Sequence, residues 1–445
     1  MICLKARKPS TLPRIMHSFE YRNGNLFCED VDLAQLAAQT GTPTYVYSAS
    51  TILDHYRRLD QALAGVPHAI CYAVKANSNL GVLSLLTGEN AEFDIVSSGE
   101  LFRVIAAGGS AAQCTFAGVG KTEAEIRDAL QRGILSFSVE SEAELQRINA
   151  VAATLGVRAP IALRVNPNVD AHTHKYISTG KNENKFGIAF DRVLAVYEAA
   201  AQMPHIAIRG VQMHIGSQIT QVGPFVEAVD KMLPLVLTLK DLYGIEYFSI
   251  GGGMGIVYDP SLASGTPEWW KTDASEGRMT LEAYAGAVVP KLQTLGLKIR
   301  VEPGRFMVGN AGVLLTRVQY VKTTATKKFV IVDAGMNDLI RPALYQSFHE
   351  IVPAVERQGA SEKVDIVGPI CESGDFFAQD RALPPLAQGD LIAVMSAGAY
   401  GSTMSSNYNS RPLPTEILVK RDQFATIRRR QTPADLLRDE SLPHW

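Results

Sequence analysis

Between His68 and Glu302 the chain alternates eight short apolar runs with segments whose apolar residues fall at helical spacing. The runs are His68–Val74, Glu92–Val96, Cys114–Gly118, Ile134–Val139, Ile161–Val165, Gly210–His214, Tyr247–Ile250 and Ile299–Glu302. Helical spacing is read at Gly99–Ala107, Thr122–Arg132, Ser141–Leu155, Arg192–Gln202, Pro224–Leu242 and Leu281–Leu295. Ser98 stands as a cap before Gly99-Glu100, and Ser141-Glu142-Ala143-Glu144 has the form of a capping box. Strands that alternate with crossover helices pair in parallel, and eight of them most simply close into a (β/α)8, TIM-like barrel. A doubly wound open sheet is the alternative, but no GxGxxG turn follows the first strand.

The pattern changes on both flanks. Beyond Arg305, the runs Gly312–Val321, Phe329–Asp333, Lys363–Val367, Asp390–Met395 and Glu416–Lys420 read as strands without long helices between them. Such runs predict an antiparallel β domain. Leu26–Val46 holds strand-like pieces and a short helix, Asp32–Gln39, so the second domain is expected to draw on both chain ends. The expected division is an N-terminal extension over 1–15, β domain over 16–46, barrel over 47–305 and β domain again over 306–445. Met1–Arg14 carries four basic residues, no acidic one and no apolar core of a secretory signal, and Met16 is the expected native start. The segment Tyr258–Arg278, with Trp269-Trp270, reads as a long loop over the barrel mouth.

A net charge of −2 gives no basic field for nucleic acid and no polybasic membrane patch. No apolar run approaches the ~20 residues that cross a bilayer. The five cysteines, Cys3, Cys28, Cys71, Cys114 and Cys371, are scattered without metal spacing, which fits reduced thiols in the cytoplasm. His172-Thr173-His174 lacks a nearby third ligand, and no metal is expected.

In a barrel of this kind the reactive groups collect where strands end. Lys75 follows the first strand, Asp94 lies in the second and His214 ends the sixth. Gly251-Gly252-Gly253 follows the seventh, and Glu302-Pro303-Gly304-Arg305 follows the eighth. A lone strand-end lysine ordinarily snorkels to water. Desolvation there lowers an amine's pKa, and a neutral amine can form a Schiff base. Three glycines alone are ordinarily a flexible turn, but the loops after strands seven and eight are the usual phosphate site of such barrels. His214, ordinarily a satisfied core residue, can stack on a heteroaromatic plane, and Ser217 can donate to a phosphate.

Together, Tyr72–Asn77, His214–Gln218, Gly251–Gly255 and Glu302–Arg305 resemble the fold-type III pyridoxal-phosphate-dependent decarboxylases. Within these alanine racemase-like barrel enzymes the chain is most similar to the diaminopimelate decarboxylases. The likeness extends through Arg164–Pro167, His174–Gly180, Lys185–Gly187, Cys371-Glu372-Ser373-Gly374-Asp375 and Met404–Arg411. Asn184 and Met254 depart from the family pattern, where serine and leucine are usual.

The resemblance implies that Lys75 holds pyridoxal 5'-phosphate, with His214 against its ring. Ser217, Gly251, Gly252, Gly253 and the Glu302-Pro303-Gly304-Arg305 backbone hold the phosphate, and Glu302 faces the ring nitrogen. Asp94 supports the Lys75 end, although a buried, hydrogen-bonded aspartate is its ordinary reading. Arg305, Arg341 and Tyr345 bind a distal carboxylate, Glu372 pairs with a distal ammonium, and Tyr400 touches cofactor and substrate. A thiol is mostly protonated at neutral pH, so Cys371 matches the proton donor. The family's Cys-Glu segment enters the neighbouring subunit's site, which implies a homodimer with shared active sites.

The implied reaction is decarboxylation of meso-2,6-diaminopimelate to L-lysine and CO2, the last step of lysine biosynthesis. A decarboxylase of another basic or acyl-carrier-linked amino acid has less use for Arg305, Arg341 and Glu372 together. A racemase of this fold tends to place an arginine where Glu302 stands, and a non-catalytic cofactor carrier lacks the β domain and Cys371-Glu372.

Overall fold

The computed structural model describes residues 17–170, 185–258 and 279–445. The N-terminal extension, Met16, the His172–His174 pair, Asn184 and nearly all of the expected mouth loop lie outside them.

Eight parallel strands close into a barrel: β1 (His68–Ala73), β2 (Glu92–Ile95), β3 (Cys114–Phe116), β4 (Ser136–Val139), β5 (Ala159–Asn166), β6 (Ile206–Met213), β7 (Tyr247–Ser249) and β8 (Lys298–Val301). Each pairs with the next, and β8 returns to β1 through Ile299↔His68 and Val301↔Ile70. Helices on the outside and side chains within bury both faces, so β3 and β4 are buried at every position. The helices carry the expected caps with two shifts. Ser97, not Ser98, accepts from Glu100 N–H at 3.2 Å and starts the helix Ser98–Ala106. Ser141 caps Glu142–Leu155, but the Glu144 carboxylate goes to Glu140 N–H (2.7 Å) and the buried Lys121 (2.6 Å), so the box is half formed. At the N-terminal end of the barrel, Glu92 pairs with Arg300 (2.7 Å) and Lys298 (2.8 Å), while Arg300 lies 4.0 Å over the Tyr247 ring. Reactive residues gather at the opposite end.

The second domain is mostly antiparallel rather than wholly so. Its central strand, Gly312–Thr323, pairs antiparallel with Thr44–Ser48, Lys328–Val332 and Leu391–Val394. Two pairings are parallel: Lys328–Val332 with Glu362–Val367, and Thr44–Ser48 with Thr415–Lys420. Both chain ends thus enter one sheet. Alternate residues of Gly312–Thr323 serve two cores: Leu314 and Val318 pack with the barrel, whereas Val313 and Leu315 face the N-terminal hairpin residues Phe19, Leu26 and Cys28. This sheet places Arg341–Tyr345 and the segment around Tyr400 over the C-terminal ends of the barrel strands.

Candidate active site

A cavity of about 640 Å³ opens between the barrel's C-terminal end and the β domain. Lys75, Asp94, His214, Ser217, Glu302, Arg305, Arg341, Tyr345 and Tyr400 line it, together with Gly253 and Gly304. Seven segments distant in sequence therefore converge, while Gly251, Gly252 and Pro303 lie beside the cavity without lining it. Cys371 and Glu372 are exposed on the turn between Glu362–Val367 and Phe376–Leu383, and neither lines this cavity.

At one end, the chain leaves β1 through a single turn, Val74–Ala76, that aims Lys75 across the top of the barrel. Its Nζ lies 2.5 Å from Asp94 Oδ2, and 40% of the side chain is exposed. Burial works against the ammonium, but the Asp94 carboxylate outweighs it and raises the lysine above its ordinary pKa. The sequence-based expectation of a lowered pKa is corrected: Asp94 holds this amine charged. Glu302 is buried, with Oε1 accepting from Ser249 Oγ (2.5 Å) and Oε2 from Gln212 Nε2 (2.9 Å). Burial, and then Asp94, raise its pKa above the usual carboxylate range.

His214 lies just past β6. Its Nδ1 accepts from Gly252 N–H at 3.2 Å, while burial, Arg164 and Lys75 push the imidazole well below its ordinary range, so it is neutral. The glycine loop earns its composition through backbone contact. A Cβ on Gly251 would lie 2.3 Å from Met213 O, and one on Gly252 2.0 Å from Glu302 O. Gly253 has φ +102° and would place a Cβ 2.4 Å from Gly216 O. The glycines therefore draw the loops after β6, β7 and β8 together around the cavity floor.

At the other end, two guanidinium groups share the aromatic ring of Tyr258. Arg305 donates to Tyr258 Oη (2.6 Å) and Ser217 Oγ (3.1 Å), and lies 4.7 Å from the Tyr400 ring centroid. Arg341 lies 4.6 Å over the Tyr258 ring and bonds Ser347 Oγ at 3.2 Å and His349 Nε2 at 2.9 Å. His349 Nδ1 lies 2.8 Å from Met395 O. Burial and then Arg341 push His349 down to about 3, so its neutral ring accepts from the arginine and donates to the carbonyl. Among the described residues no carboxylate forms an ion pair with Arg305 or Arg341. Buried cations without an anion of their own are suited to a carboxylate or phosphate.

Sequence reasoning missed Gln212, Ser249, Tyr258 and His349 as individual site residues. Gln212 stands two residues before His214 and so shares its face of the strand, a signal that the period of two carries. Ser249 stands in the same relation to Gly251. His349 gave no comparable sign.

Three buried polar atoms of the cavity residues, Asp94 Oδ1, Gln212 Oε1 and Arg305 Nε, have no hydrogen-bond partner among the described residues. With Lys75, the glycine cradle and the neutral His214, they fit a flat, polar, phosphate-bearing cofactor held through an aldehyde. Fold and site together suit a barrel enzyme that carries such a cofactor. The family described as "Pyridoxal-dependent decarboxylase, pyridoxal binding domain" matches residues 49–309. The chain is 52% identical over 431 residues to the diaminopimelate decarboxylase of Pseudomonas aeruginosa, covering 96% of this chain and 99% of that one. It is 46% identical over 430 residues to that of Haemophilus influenzae, covering 96% and 100%. The crystal structure of the Helicobacter pylori diaminopimelate decarboxylase complexed with L-lysine superimposes with a TM-score of 0.85 at 40% identity, over 92% of this chain and 98% of that one. The M. jannaschii diaminopimelate decarboxylase in co-complex with L-lysine gives 0.88 at 35%, over 97% and 99%. The chain belongs to the pyridoxal-dependent decarboxylases, within the diaminopimelate decarboxylase family. Pyridoxal phosphate is its cofactor.

Proposed function

We propose that the protein removes CO2 from the D-configured centre of meso-2,6-diaminopimelate and releases L-lysine. The observation that carries the reading is the two-ended cavity: a lysine and two carboxylates at one end, two guanidiniums without carboxylate partners among the described residues at the other. Diaminopimelate bears an amino-acid group at each end, so one end can react while the other is gripped. Pyridoxal phosphate supplies an aldehyde that takes amines and a ring that accepts the electron pair left as CO2 departs.

The chain's own groups divide the work. Lys75 holds the cofactor, and Asp94, 2.5 Å away, holds the amine's proton. Glu302, fixed by Ser249 and Gln212, offers its carboxylate to the ring nitrogen and favours that nitrogen's protonated form. His214, held by Gly252 N–H, would stack against the ring. Ser217, Gly251–Gly253 and the Pro303-Gly304-Arg305 backbone take the phosphate. Arg305 and Arg341, with Tyr345, would take the distal carboxylate, and Tyr400 would touch cofactor and substrate. Burial works against the charge of Arg341, which sharpens its demand for an anion.

Cys371 and Glu372 complete the site from a second copy of the chain. In a homodimer each exposed turn enters its neighbour's cavity, Cys371 delivering a proton and Glu372 meeting the distal ammonium. Exposure of both residues outside their own cavity supports this arrangement. No helix among the described residues is long and apolar enough to cross a membrane. The four described cysteines are free, in keeping with a cytoplasmic enzyme.

Purified protein with pyridoxal phosphate should release CO2 and L-lysine in equal amounts from meso-diaminopimelate. Preferential turnover of L-ornithine would overturn the roles given to Arg305, Arg341 and Glu372 while leaving Lys75 chemistry intact.

A further inference from the structure

The turn 368–375 is tied by several hydrogen bonds although its tip is exposed. It joins the strands Glu362–Val367 and Phe376–Leu383, and Cys371, Glu372 and Ser373 at its tip are exposed. Exposed tips generally vary in conformation because little holds them. Here Asp375, 4% exposed, turns its carboxylate inward and accepts from Ile370 N–H and Met336 N–H, both at 2.6 Å. The first bond fixes the turn's ascending limb, and the second fastens it to the neighbouring loop that follows Lys328–Val332. Backbone bonds from Glu372 N to Ile370 O (2.8 Å) and from Asp375 N to Glu372 O (3.1 Å) close the tip itself. A further tether comes from outside, where Cys371 N–H donates to Asn409 Oδ1 at 2.9 Å, with Asn409 in the left-handed region at φ +55°.

The carboxylate has a seat made for it. A Cβ on Gly368 would lie 2.4 Å from Asp375 Oδ2, so only glycine there lets the carboxylate reach both N–H groups. Bonds from backbone N–H to a carboxylate are among the stronger hydrogen bonds of a protein. The two strands pair through their own ladder up to Val367↔Phe376 without it. What the carboxylate adds is the direction of the tip.

We propose that Asp375 is a positioning residue acting in trans: it presets the Cys371–Glu372 tip for the cavity of a second copy of the chain. The inference rests on the shared-site homodimer proposed above. A tip that must enter a cavity built by another subunit gains from being fixed beforehand, since a displacement of about 1 Å in reacting groups can cost on the order of a hundredfold in rate.

Three variants test it: Asp375→Ala, Cys371→Ala and Lys75→Ala. Asp375→Ala is expected to keep its cofactor absorbance and dimer mass and to lose about a hundredfold in kcat. Subunits of Asp375→Ala and Lys75→Ala, each nearly inactive, are then dissociated, mixed in equal amounts and reassembled. Action in trans predicts recovery to about a quarter of wild-type activity, because half the dimers are mixed and each holds one intact site. Cys371→Ala mixed with Lys75→Ala is the control for the shared site. If the control recovers and the Asp375→Ala mixture does not, Asp375 acts within its own cavity, through the Met336 loop and Arg341, and the proposal falls alone. If the control fails too, the shared site and the proposal fall together. Should Asp375→Ala not fold, Asn409→Ala removes the tether at Cys371 N–H instead. It is expected to lose about tenfold in kcat with the same recovery on mixing, and wild-type kcat in that variant would contradict a preset tip.

Discussion

The two ends of the cavity are built by different means. The Lys75 end stands on the barrel: Lys75, Asp94, His214 and Glu302 all occur at or near strand ends, each placed by the backbone that carries it. The arginine end spans the junction of two domains. Arg305 comes from the turn after β8, Arg341 from a short helix of the β domain, and a tyrosine ring and a neutral histidine set their spacing. A barrel end can be read from period and order along the chain, whereas a junction depends on contacts that no local pattern records. In the proposed reading one end performs the chemistry and the other selects the substrate.

Substitutions should therefore sort by end. Lys75→Ala should have the largest effect, a loss of kcat/KM on the order of 10⁴-fold or more with loss of the bound cofactor's imine absorbance. Retained turnover would mean that the Lys75 end has been misassigned. Glu302→Gln comes next, lowering kcat by about 10²- to 10³-fold with little change in KM, as expected for a charge that matters most when electrons flow into the ring. Arg341→Lys at the other end should instead raise KM for meso-diaminopimelate by about ten- to a hundredfold and spare kcat, because an ammonium lacks the planar fork. A kcat effect with unchanged KM would erase the contrast between the ends. His349→Leu removes one of the two acceptors of Arg341 and should raise KM by about three- to tenfold. Steady-state kinetics with a CO2 readout checks all four.

The smallest expected effect concerns pH and stability. Burial raises Glu100 to about 7 against the N–H bond from Val96, and raises Asp338 to about 7 against the N–H bond from Gly335. Both carboxyls then bind more protons folded than unfolded between their ordinary values and about 7. Stability without cofactor should accordingly fall as pH rises from about 4 to 7 through these two groups. Urea midpoints measured across that range should show a shallower slope in Glu100→Gln than in the wild type. An unchanged slope would show that Glu100 titrates normally.

Much of the barrel was legible because parallel strands buried on both faces leave continuous apolar runs, and the helices between them bring recognisable caps. Boundaries slipped where the backbone itself changes course: Val74 leaves the strand to start the turn that aims Lys75, and the cap falls on Ser97 instead of Ser98. The strands Ile351–Pro353, Phe376–Leu383 and Gln423–Arg428 were missed. Gln423–Arg428 lies mostly exposed at the sheet edge, and Phe376–Leu383 mixes polar and apolar residues through a bulged register. The direction of the Lys75 shift was misread because burial alone was considered. The carboxylate 2.5 Å away comes from another strand and reverses the balance.

The most direct test of the central claim compares kcat/KM for meso-diaminopimelate with that for D-lysine. The two share the reacting D-centre and the distal amine, and differ only in the distal carboxylate. A cavity whose far end is built around Arg305 and Arg341 predicts at least about a thousandfold preference for meso-diaminopimelate, since buried donors left unpaired penalise the analogue. Equal values would contradict the account and leave the arginine end without a role in choosing the substrate.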